Sequence, residues 1–237
     1  MSVGITQKNR IEMTSTMNSK KIKGAIFDMD GVILDTEKLY LRFWMQAAAD
    51  FGYNMTEQHV FGIRSLARKF AVEKLKGIFG EEFPYYDIHA RRVELMDAFI
   101  KENGFETKKG VFELLDFLRE NGIKIAIATA TARERTNSYL NSIGASEYFD
   151  AIVCGDMVEN GKPAPDIYLK AAAELQLLPS ECAAFEDSPN GIKSAYSAGC
   201  YTIMIPDLTQ PTEEDAPLLS GIYESLDKAV GFFKGRC

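Results

Sequence analysis

Histidine, cysteine and tryptophan are scarce in this chain, and long apolar runs are missing. The 237 residues include two His, four Cys and one Trp. The cysteines form no C-x-x-C pair and no metal-ligand spacing, which argues against a zinc site and a disulfide framework. The most apolar segment, residues 123–128, has the length of a strand and is too short to cross a bilayer. We expect a reduced protein that does not enter a membrane.

The charge balance is acidic, with a net charge of −7. This balance argues against a protein that binds nucleic acid by neutralising phosphates. Hydrophobic residues make up 46% of the chain, an ordinary share for a folded globular protein. Residues 1–20 are polar and lack the apolar stretch of a secretory signal, so we predict a mobile N-terminal tail. The predictions for the whole chain are a soluble cytoplasmic protein and a monomer.

Short apolar segments alternate with helical patterns through much of the chain. The predicted strands cover residues 22–27, 123–128, 151–154, 182–185 and 201–205. The predicted helices that follow or separate them cover residues 111–121, 132–142, 165–175, 189–198 and 224–234. Apolar strands separated by helices predict a parallel sheet covered on both faces. The fold class is therefore α/β, with a doubly wound parallel sheet.

Residues 37–104 show helical patterns and no convincing strand. Apolar residues recur there at four-residue spacing, beginning with Leu39 and Phe43, and further helices are predicted over 65–79 and 88–103. We predict a small all-helical cap domain at 37–104, inserted after the first strand. The catalytic core is then formed by residues 21–36 and 105–237.

Two carboxylates, Asp28 and Asp30, follow the first strand directly in the sequence F-D-M-D-G-V. Residues two apart on a strand point to the same side, so the two charges lie close together. Like charges at short range require a cation, a shared proton, or both. The pattern is compatible with a magnesium site that contains a nucleophile and a proton donor, and equally with a strand that ends in a polar turn.

Polar residues follow the later predicted strands as well. They are Thr129 and Ala130, then Lys162, then Glu186 and Asp187. Because ligands bind at the carboxyl ends of the strands in a doubly wound sheet, these residues are expected to meet Asp28 and Asp30. A hydroxyl, a backbone N–H group, an ammonium and four acids suit phosphoryl transfer. Each residue taken alone also has a structural explanation, such as helix capping by the acids before Ser188.

The order of these motifs resembles that of the haloacid dehalogenase superfamily, in particular its members with a helical cap, similar to β-phosphoglucomutase and phosphoglycolate phosphatase. The motifs are D-M-D-G-V at 28–32, Thr129 after an apolar strand, G-K-P-A-P-D around Lys162, and E-D-S-P-N-G at 186–191. The resemblance spans residues 22 to about 230. Four motifs in the same order are far more specific than any one of them.

The resemblance implies a role for each motif residue. Asp28 forms an aspartyl-phosphate, Asp30 acts as general acid and then as base, and the phosphoryl group is held by Thr129, the N–H of Ala130 and Lys162. Magnesium is implied on Asp28, the backbone carbonyl of Asp30, Asp187 and Glu186.

Substrate choice is expected to depend on the cap. The segment 61–65 resembles the substrate loop of capped members, which makes Arg64 and Ser65 candidate substrate contacts; a solvent-exposed arginine is the alternative. Tyr40 and Trp44 are expected to pack inside the cap or to face the mouth of the site. His59 and His89 are expected at the surface or in helix caps.

The predicted function is a magnesium-dependent phosphatase that acts on a small phosphorylated metabolite, with a sugar phosphate favoured. A phosphomutase of the β-phosphoglucomutase type is the first alternative, but such mutases carry a histidine where this chain has Tyr40. The second alternative is a non-enzymatic receiver-like module, in which Asp156 after the third strand accepts the phosphoryl group. The helical insertion and the length of the chain argue against it.

Overall fold

The computed structural model describes residues 21–64 and 66–236. The predicted tail at 1–20 and the candidate Ser65 lie outside the described residues. Six strands form one sheet: β1 (Gly24–Phe27), β2 (Lys124–Thr129), β3 (Ala151–Cys154), β4 (Cys182–Glu186), β5 (Tyr201–Met204) and β6 (Gly221–Ile222). The helices described are α1 (Glu37–Asp50), α2 (Glu57–Phe61), α3 (Arg68–Phe79), α4 (Tyr85–Asn103), α5 (Val111–Glu120), α6 (Arg133–Ser142), α7 (Asp166–Glu174), α8 (Pro189–Ala198) and α9 (Leu226–Phe233).

All neighbouring strands of the sheet are parallel, in the order β3-β2-β1-β4-β5-β6. The first strand is central, with β2 and β4 on its two sides in matching register. The chain therefore winds outward from β1 in both directions, and the switch point lies between β1 and β4. Parallel sheets of this kind bind ligands at the carboxyl ends of the strands next to the switch point. The predicted doubly wound α/β fold is confirmed.

Side chains along the strands alternate between two hydrophobic clusters, one on each face of the sheet. Phe27 and Phe185 pack on one face with ring centroids 4.6 Å apart, whereas Ile26 and Ala184 belong to the cluster on the opposite face. A strand buried on both faces must be apolar at successive positions, which explains why the strands read as short continuous runs.

The helices α1 to α4 follow β1 and precede α5, and they are named here the helical insertion (residues 37–103). They enclose a separate hydrophobic cluster that includes Trp44, Leu75 and Phe83. No strand occurs in the described part of this segment. The division of the chain into tail, core and cap domains stays a prediction.

Two features of the chain differ from the sequence-based expectations. The helix predicted over 65–79 begins at Arg68, because the amide of Ala67 donates to the carbonyl of Lys162 at 3.1 Å and this segment contacts the core. The short helix α2 and the two-residue strand β6 were not predicted, since neither is long enough to show a hydrophobic period. Within the described residues, no helix combines the length and the apolar content required to cross a bilayer.

Candidate active site

The carboxyl ends of β1 and β2 meet beside one cavity of about 500 Å³, and β4 lies next to β1. Asp28 follows β1 directly, Thr129 is the last residue of β2, and Glu186 is the last residue of β4. The amide of Asp28 donates to the carbonyl of Phe185 at 3.0 Å, which keeps the end of β1 in register with β4. The sheet thus places the sequence-predicted acids next to one another.

Lys162 lies between two carboxylates. Its Nζ is 3.0 Å from Oδ1 of Asp28 and 2.6 Å from Oε1 of Glu186, and all three side chains are buried. The hydroxyl of Tyr168 also donates to Glu186. Burial raises the pKa of Asp28 to about 8, although the charge of Lys162 opposes this rise. The arrangement fixes the Asp28 carboxyl within reach of an ammonium that neutralises negative charge.

Asp30 is held by two hydroxyl groups. Thr36 Oγ1 donates to Oδ1 of Asp30 at 2.6 Å, and Thr131 Oγ1 donates to Oδ2 at 2.8 Å. Burial raises the pKa of Asp30, and these two hydrogen bonds lower it. A buried carboxyl with a raised pKa and a fixed orientation suits a general acid. Neither threonine was predicted as a site residue, although Thr131 lies two residues after Thr129, the last residue of β2.

Thr129 and Ala130 lie on the wall of the same cavity. The Thr129 hydroxyl accepts a hydrogen bond from the amide of Thr131 at 3.1 Å, which closes a tight turn after β2. This turn brings Thr131 back toward Asp30. The predicted phosphoryl-binding roles of Thr129 and Ala130 stay predictions.

Arg64 is buried, so the alternative of a solvent-exposed side chain is wrong. It donates through Nη2 to Oδ2 of Asp187, and its Nε lies 3.0 Å from Oε2 of Glu37 in an ion pair. The Asn190 side chain donates to the Arg64 carbonyl at 2.8 Å, which holds this loop of the helical insertion against the core. The structure therefore places Arg64 against the acids of the core. Its predicted contact with substrate stays a prediction.

The acidic cluster has the composition of a cation site. Asp28, Glu186 and Asp187 each offer a carboxylate oxygen, and these oxygens lie within 4.8 Å of one another. Oδ1 of Asp187 is buried without a hydrogen-bond partner. The site has five buried carboxyl groups and two cations that pair with them. Lys162 pairs with Asp28 and Glu186, and Arg64 pairs with Glu37 and Asp187. Among the described residues, the fifth carboxyl group, Asp30, has only the two threonine hydroxyls as partners.

Carboxylate oxygens are the ligands that Mg²⁺ prefers in proteins, so these residues fit the metal. Burial is the largest cause that raises the pKa of Asp187; the charge of Arg64 opposes this rise, and repulsion from the neighbouring carboxylates adds to it. A divalent cation relieves this repulsion. The backbone carbonyl of Asp30, the other ligand implied by the resemblance, stays a prediction.

Two glycines permit the close approach of backbone and carboxylate. A Cβ on Gly31 would lie 2.1 Å from Oδ2 of Asp187, and the φ of Gly31 is +81°. A Cβ on Gly191, in the first turn of α8, would lie 1.9 Å from Oε2 of Glu186. Ser188 caps the same helix by accepting from the amide of Gly191 at 3.2 Å. The motif therefore caps the helix through Ser188 and not through the acids before it, which belong to the acidic cluster.

The aromatic and histidine residues that were singled out in the sequence lie in the helical insertion, and some of them line the cavity. Trp44 belongs to the hydrophobic cluster of the helical insertion and also lines the cavity, as does Tyr40. His59 accepts from the amide of Thr56 at 3.1 Å, which confirms a capping role. His89 lines the cavity, so the expected surface or capping role is wrong for this residue.

The sequence that places these acids around a buried lysine at the carboxyl end of a parallel sheet matches a known family. The sequence model of the haloacid dehalogenase-like hydrolases matches residues 25–205. The chain belongs to this family. It is therefore an enzyme of the hydrolase type, as the motif order predicted.

Relatives of known name cover most of the chain. A phosphorylated carbohydrates phosphatase from Thermotoga maritima is 33% identical over 195 residues, covering 77% of this chain and 84% of that protein. β-Phosphoglucomutase from Bacillus subtilis is 31% identical over 194 residues, covering 77% of this chain and 82% of that protein.

A solved structure has the same fold as this chain. It is the crystal structure of CbbY from Rhodobacter sphaeroides in complex with phosphate, which superposes with a TM-score of 0.73 at 28% identity. The match covers 88% of this chain and 96% of that chain, so the sheet and the helical insertion are both included.

Proposed function

We propose that the protein is a magnesium-dependent phosphatase that hydrolyses a small phosphorylated carbohydrate through an aspartyl-phosphate intermediate. The observation that carries this proposal is the pair formed by Asp28, in contact with Lys162, and Asp30, in contact with two threonine hydroxyls. In this proposal the first carboxyl is the nucleophile and the second is the proton donor. The relatives named as phosphatases support the reaction class, and one of them acts on phosphorylated carbohydrates by its name.

Each residue has a defined task in this mechanism. A carboxylate oxygen of Asp28 attacks phosphorus, the bond to the leaving oxygen breaks, and Asp30 gives its proton to that oxygen. In the second step Asp30 takes a proton from the water that hydrolyses the aspartyl-phosphate. Lys162 neutralises charge on the phosphoryl oxygens. Asp28, Glu186 and Asp187 would hold Mg²⁺, whose positive charge stabilises the same oxygens when it is bound.

A phosphomutase is the second candidate, because the β-phosphoglucomutase of Bacillus subtilis is 31% identical to this chain. In a mutase the phosphoryl group returns to a sugar, so Asp30 takes a proton from a hydroxyl of the sugar. Tyr40, which lines the cavity, stands where the resemblance leads us to expect a histidine in a mutase. This difference favours hydrolysis.

The test is a panel of sugar phosphates with Mg²⁺, in which free phosphate and isomerised sugar phosphate are measured separately. We expect phosphate release that Asp28→Asn abolishes. Asp156→Asn is the matched control, because Asp156 also lines the cavity and is the acceptor expected for a receiver-like module. Isomerisation without net release of phosphate would replace the phosphatase by a mutase. Stable phosphorylation at Asp156, with none at Asp28, would support the receiver-like module.

Location and assembly are part of the same proposal. A reducing compartment such as the cytoplasm is supported by three buried cysteines that are free thiols, Cys154, Cys182 and Cys200. The proposed state is a monomer with a small phosphorylated metabolite as its ligand and no nucleic acid or membrane partner. Light scattering of the purified protein at micromolar concentration tests the monomer, and a dimer mass would contradict it.

A further inference from the structure

Arg92 is a buried guanidinium that no carboxylate neutralises within the described part of the chain. It lies on α4, its exposure is 5%, and it lines the cavity that contains Asp28 and Asp30. Burying a charge without a partner is costly, so proteins retain such a group where it has a use.

The hydrogen bonds of Arg92 leave much of its donor capacity free. Nη1 donates to the thioether sulfur of Met96 at 3.6 Å, and Nη2 donates to Nε2 of His89 at 3.1 Å. Nε is buried without a partner. A guanidinium has five N–H donors, and a thioether is a weak acceptor. Arg92 therefore keeps donors for another group.

Aromatic rings hold the guanidinium in place. Its central carbon is 4.6 Å from the centroid of the Tyr40 ring and 5.6 Å from that of the Trp44 ring. Stacking against aromatic rings orients a guanidinium and leaves its edge N–H groups available for planar, bidentate recognition of a carboxylate or a phosphate. The side chain is thus preorganised rather than free to move into solvent.

The other cations around the cavity are paired or solvated. Lys162 pairs with Asp28 and Glu186, whereas Arg64 pairs with Glu37 and Asp187. Arg135 pairs with Asp97, and Arg68 and Lys69 are exposed. Arg92 is the one cation in the described wall of the cavity that is both buried and without an acidic partner.

His89 shows that this part of the cavity is electropositive. Burial is the largest cause that lowers the pKa of His89, to about 4, and the nearby positive charges of Arg92, Arg68 and Arg135 contribute to the decrease. The ring is therefore neutral at physiological pH. Because a guanidinium can only donate, Nε2 of His89 accepts the bond from Arg92, which leaves the proton on Nδ1.

Arg92 is close enough to the reaction centre to contact the far end of a small substrate. The positive charge of Arg92 is among the causes that lower the pKa of Asp30. Tyr40 is near both residues: its ring contacts Arg92, and burial followed by the negative charge of Asp30 raises the pKa of its hydroxyl. A substrate whose phosphoryl group meets Asp28 can therefore extend past Tyr40 toward Arg92.

We propose that Arg92, together with His89, binds a second anionic group of the substrate, a phosphate or a carboxylate at the end opposite to the transferred phosphoryl group. This inference rests on the proposed phosphatase function and narrows its substrate class to phosphomonoesters with two anionic ends. Arg92 is then a specificity-determining residue.

The test compares matched substrates that differ only at the far end. Phosphoglycerate against glycerol phosphate tests a carboxylate, and a hexose bisphosphate against the corresponding monophosphate tests a phosphate. We expect kcat/KM to favour at least one doubly anionic member by about ten- to a hundredfold, the range given by charge-assisted hydrogen bonds. Arg92→Gln should remove this preference and Arg92→Lys should keep part of it.

Arg91→Gln is the matched control, because it removes the same charge from the neighbouring, partly exposed position of α4. It should leave the preference unchanged. Arg92→Met is a second variant that suits the apolar surroundings of Met96, Tyr40 and Trp44, and its thermal unfolding should show that the fold persists. Equal loss of the preference in the Arg91 and Arg92 variants would overturn the inference.

Binding to the Asp28→Asn protein separates this inference from the reaction itself. Calorimetric titration with Mg²⁺ present should show tighter binding of the doubly anionic ligands, and Arg92→Gln in that background should abolish the difference. Hydrolysis of monophosphates without any advantage for a second anion would overturn the inference and leave the phosphatase intact. Hydrolysis of none of the substrates would overturn the phosphatase proposal and this inference with it.

Discussion

Arg64 and Asp187 form a buried ion pair that joins the helical insertion to the carboxyl end of β4. The guanidinium comes from the segment between α2 and α3, and the carboxylate belongs to the acidic cluster that fits a metal. A second contact, from the amide of Ala67 to the carbonyl of Lys162, lies nearby at 3.1 Å. The helical insertion thus closes over the cavity and adds positive charge to the acids of the core.

Replacing Arg64 should expose the electrostatic role of this pair. Arg64→Met leaves Glu37 and Asp187 buried without their cation, and breaking a buried pair costs about 3 kcal/mol or more. We expect a lower Tm for the variant in chelator. Millimolar Mg²⁺ should raise the Tm of the variant more than that of the unmodified protein, because the metal then supplies the missing positive charge.

Arg91→Met is the control for this measurement, since Arg91 pairs with Asp50 and Glu94, and all three side chains are at least partly exposed to solvent. Exposed pairs contribute little, so its Tm should change slightly and independently of Mg²⁺. An Arg64 variant whose Tm matched that of the Arg91 variant in chelator would contradict the role assigned to the buried pair.

The close contact between Gly191 and Glu186 predicts a large effect for a single methyl group. Gly191→Ala places a Cβ against the Glu186 carboxylate, which must shift from its present position beside Lys162. Overpacking of this kind costs about 1 to 3 kcal/mol. We expect a lower free energy of unfolding in urea denaturation and a loss of phosphate release.

Gly77→Ala is the matched control. Gly77 lies inside α3, and a Cβ there meets no atom within 4 Å. Because alanine favours helix over glycine by about 0.5 to 1 kcal/mol, this variant should be more stable than the unmodified protein. If both glycine variants changed stability in the same direction, the steric explanation for Gly191 would fail.

The hydrogen bond from Thr131 to Asp30 should influence the pH dependence of turnover. Thr131→Val removes a donor that favours the charged carboxylate, so the pKa of Asp30 should rise further. A general acid must be protonated to act, and activity is lost as pH rises through its pKa. The alkaline limb of kcat/KM against pH should therefore move to higher pH.

Thr136→Val tests whether this shift is specific. Thr136 is also buried, but its hydroxyl donates to the backbone carbonyls of Ala132 at 3.1 Å and Thr131 at 3.5 Å, and it makes no hydrogen bond to Asp30. The control should keep the original pH profile even if its overall rate is lower. A shift of equal size in both variants would argue against a direct effect on Asp30.

Stability without divalent metal should fall as pH rises. The pKa of Asp28 is 3.8 in an unfolded chain and about 8 in the folded protein, and that of Glu37 is raised to about 7, in both cases mainly by burial. Between these values the folded state binds more protons than the unfolded state, so the free energy of unfolding decreases with pH.

Chemical denaturation in chelator at about pH 5 and about pH 8 measures this dependence. We expect greater stability at the lower pH, and Asp28→Asn should reduce the difference because one of the titrating groups is gone. A free energy of unfolding that increased across this range would contradict the assignment of raised pKa values.

Sequence patterns predicted the fold for physical reasons that are local. Strands buried on both faces must be continuously apolar, which made β1 to β5 visible, and α5 shows the helical spacing of Val111, Leu114, Leu115 and Leu118. The short elements α2 and β6 were not predicted, because an element must be several residues longer before its hydrophobic period can be recognised. The carboxyl ends of the visible strands then predicted which acids, together with Lys162, would meet.

Residues that act through distant contacts were not predictable in the same way. Thr131 lies 101 positions from Asp30, and the pairing of β2 beside β1 brings the two together. Thr36 lies six positions from Asp30, but its contact depends on how the chain turns after β1, which no hydrophobic period reveals. His89 and Arg92 resemble ordinary residues of an amphipathic helix. Their placement in the cavity depends on how α4 packs against α1.

The sequence by itself determined the sheet, the helical insertion and the acids at the strand ends. These features depend on hydrophobic periodicity and on where a strand ends and a loop begins, and both are properties of neighbouring residues. Only the tertiary structure decided the partners of each charge. It paired Arg64 with Asp187 and Glu37, and it left Arg92 buried among aromatic rings without an acid. Charge pairing depends on distance and burial in three dimensions, and a one-dimensional pattern contains neither.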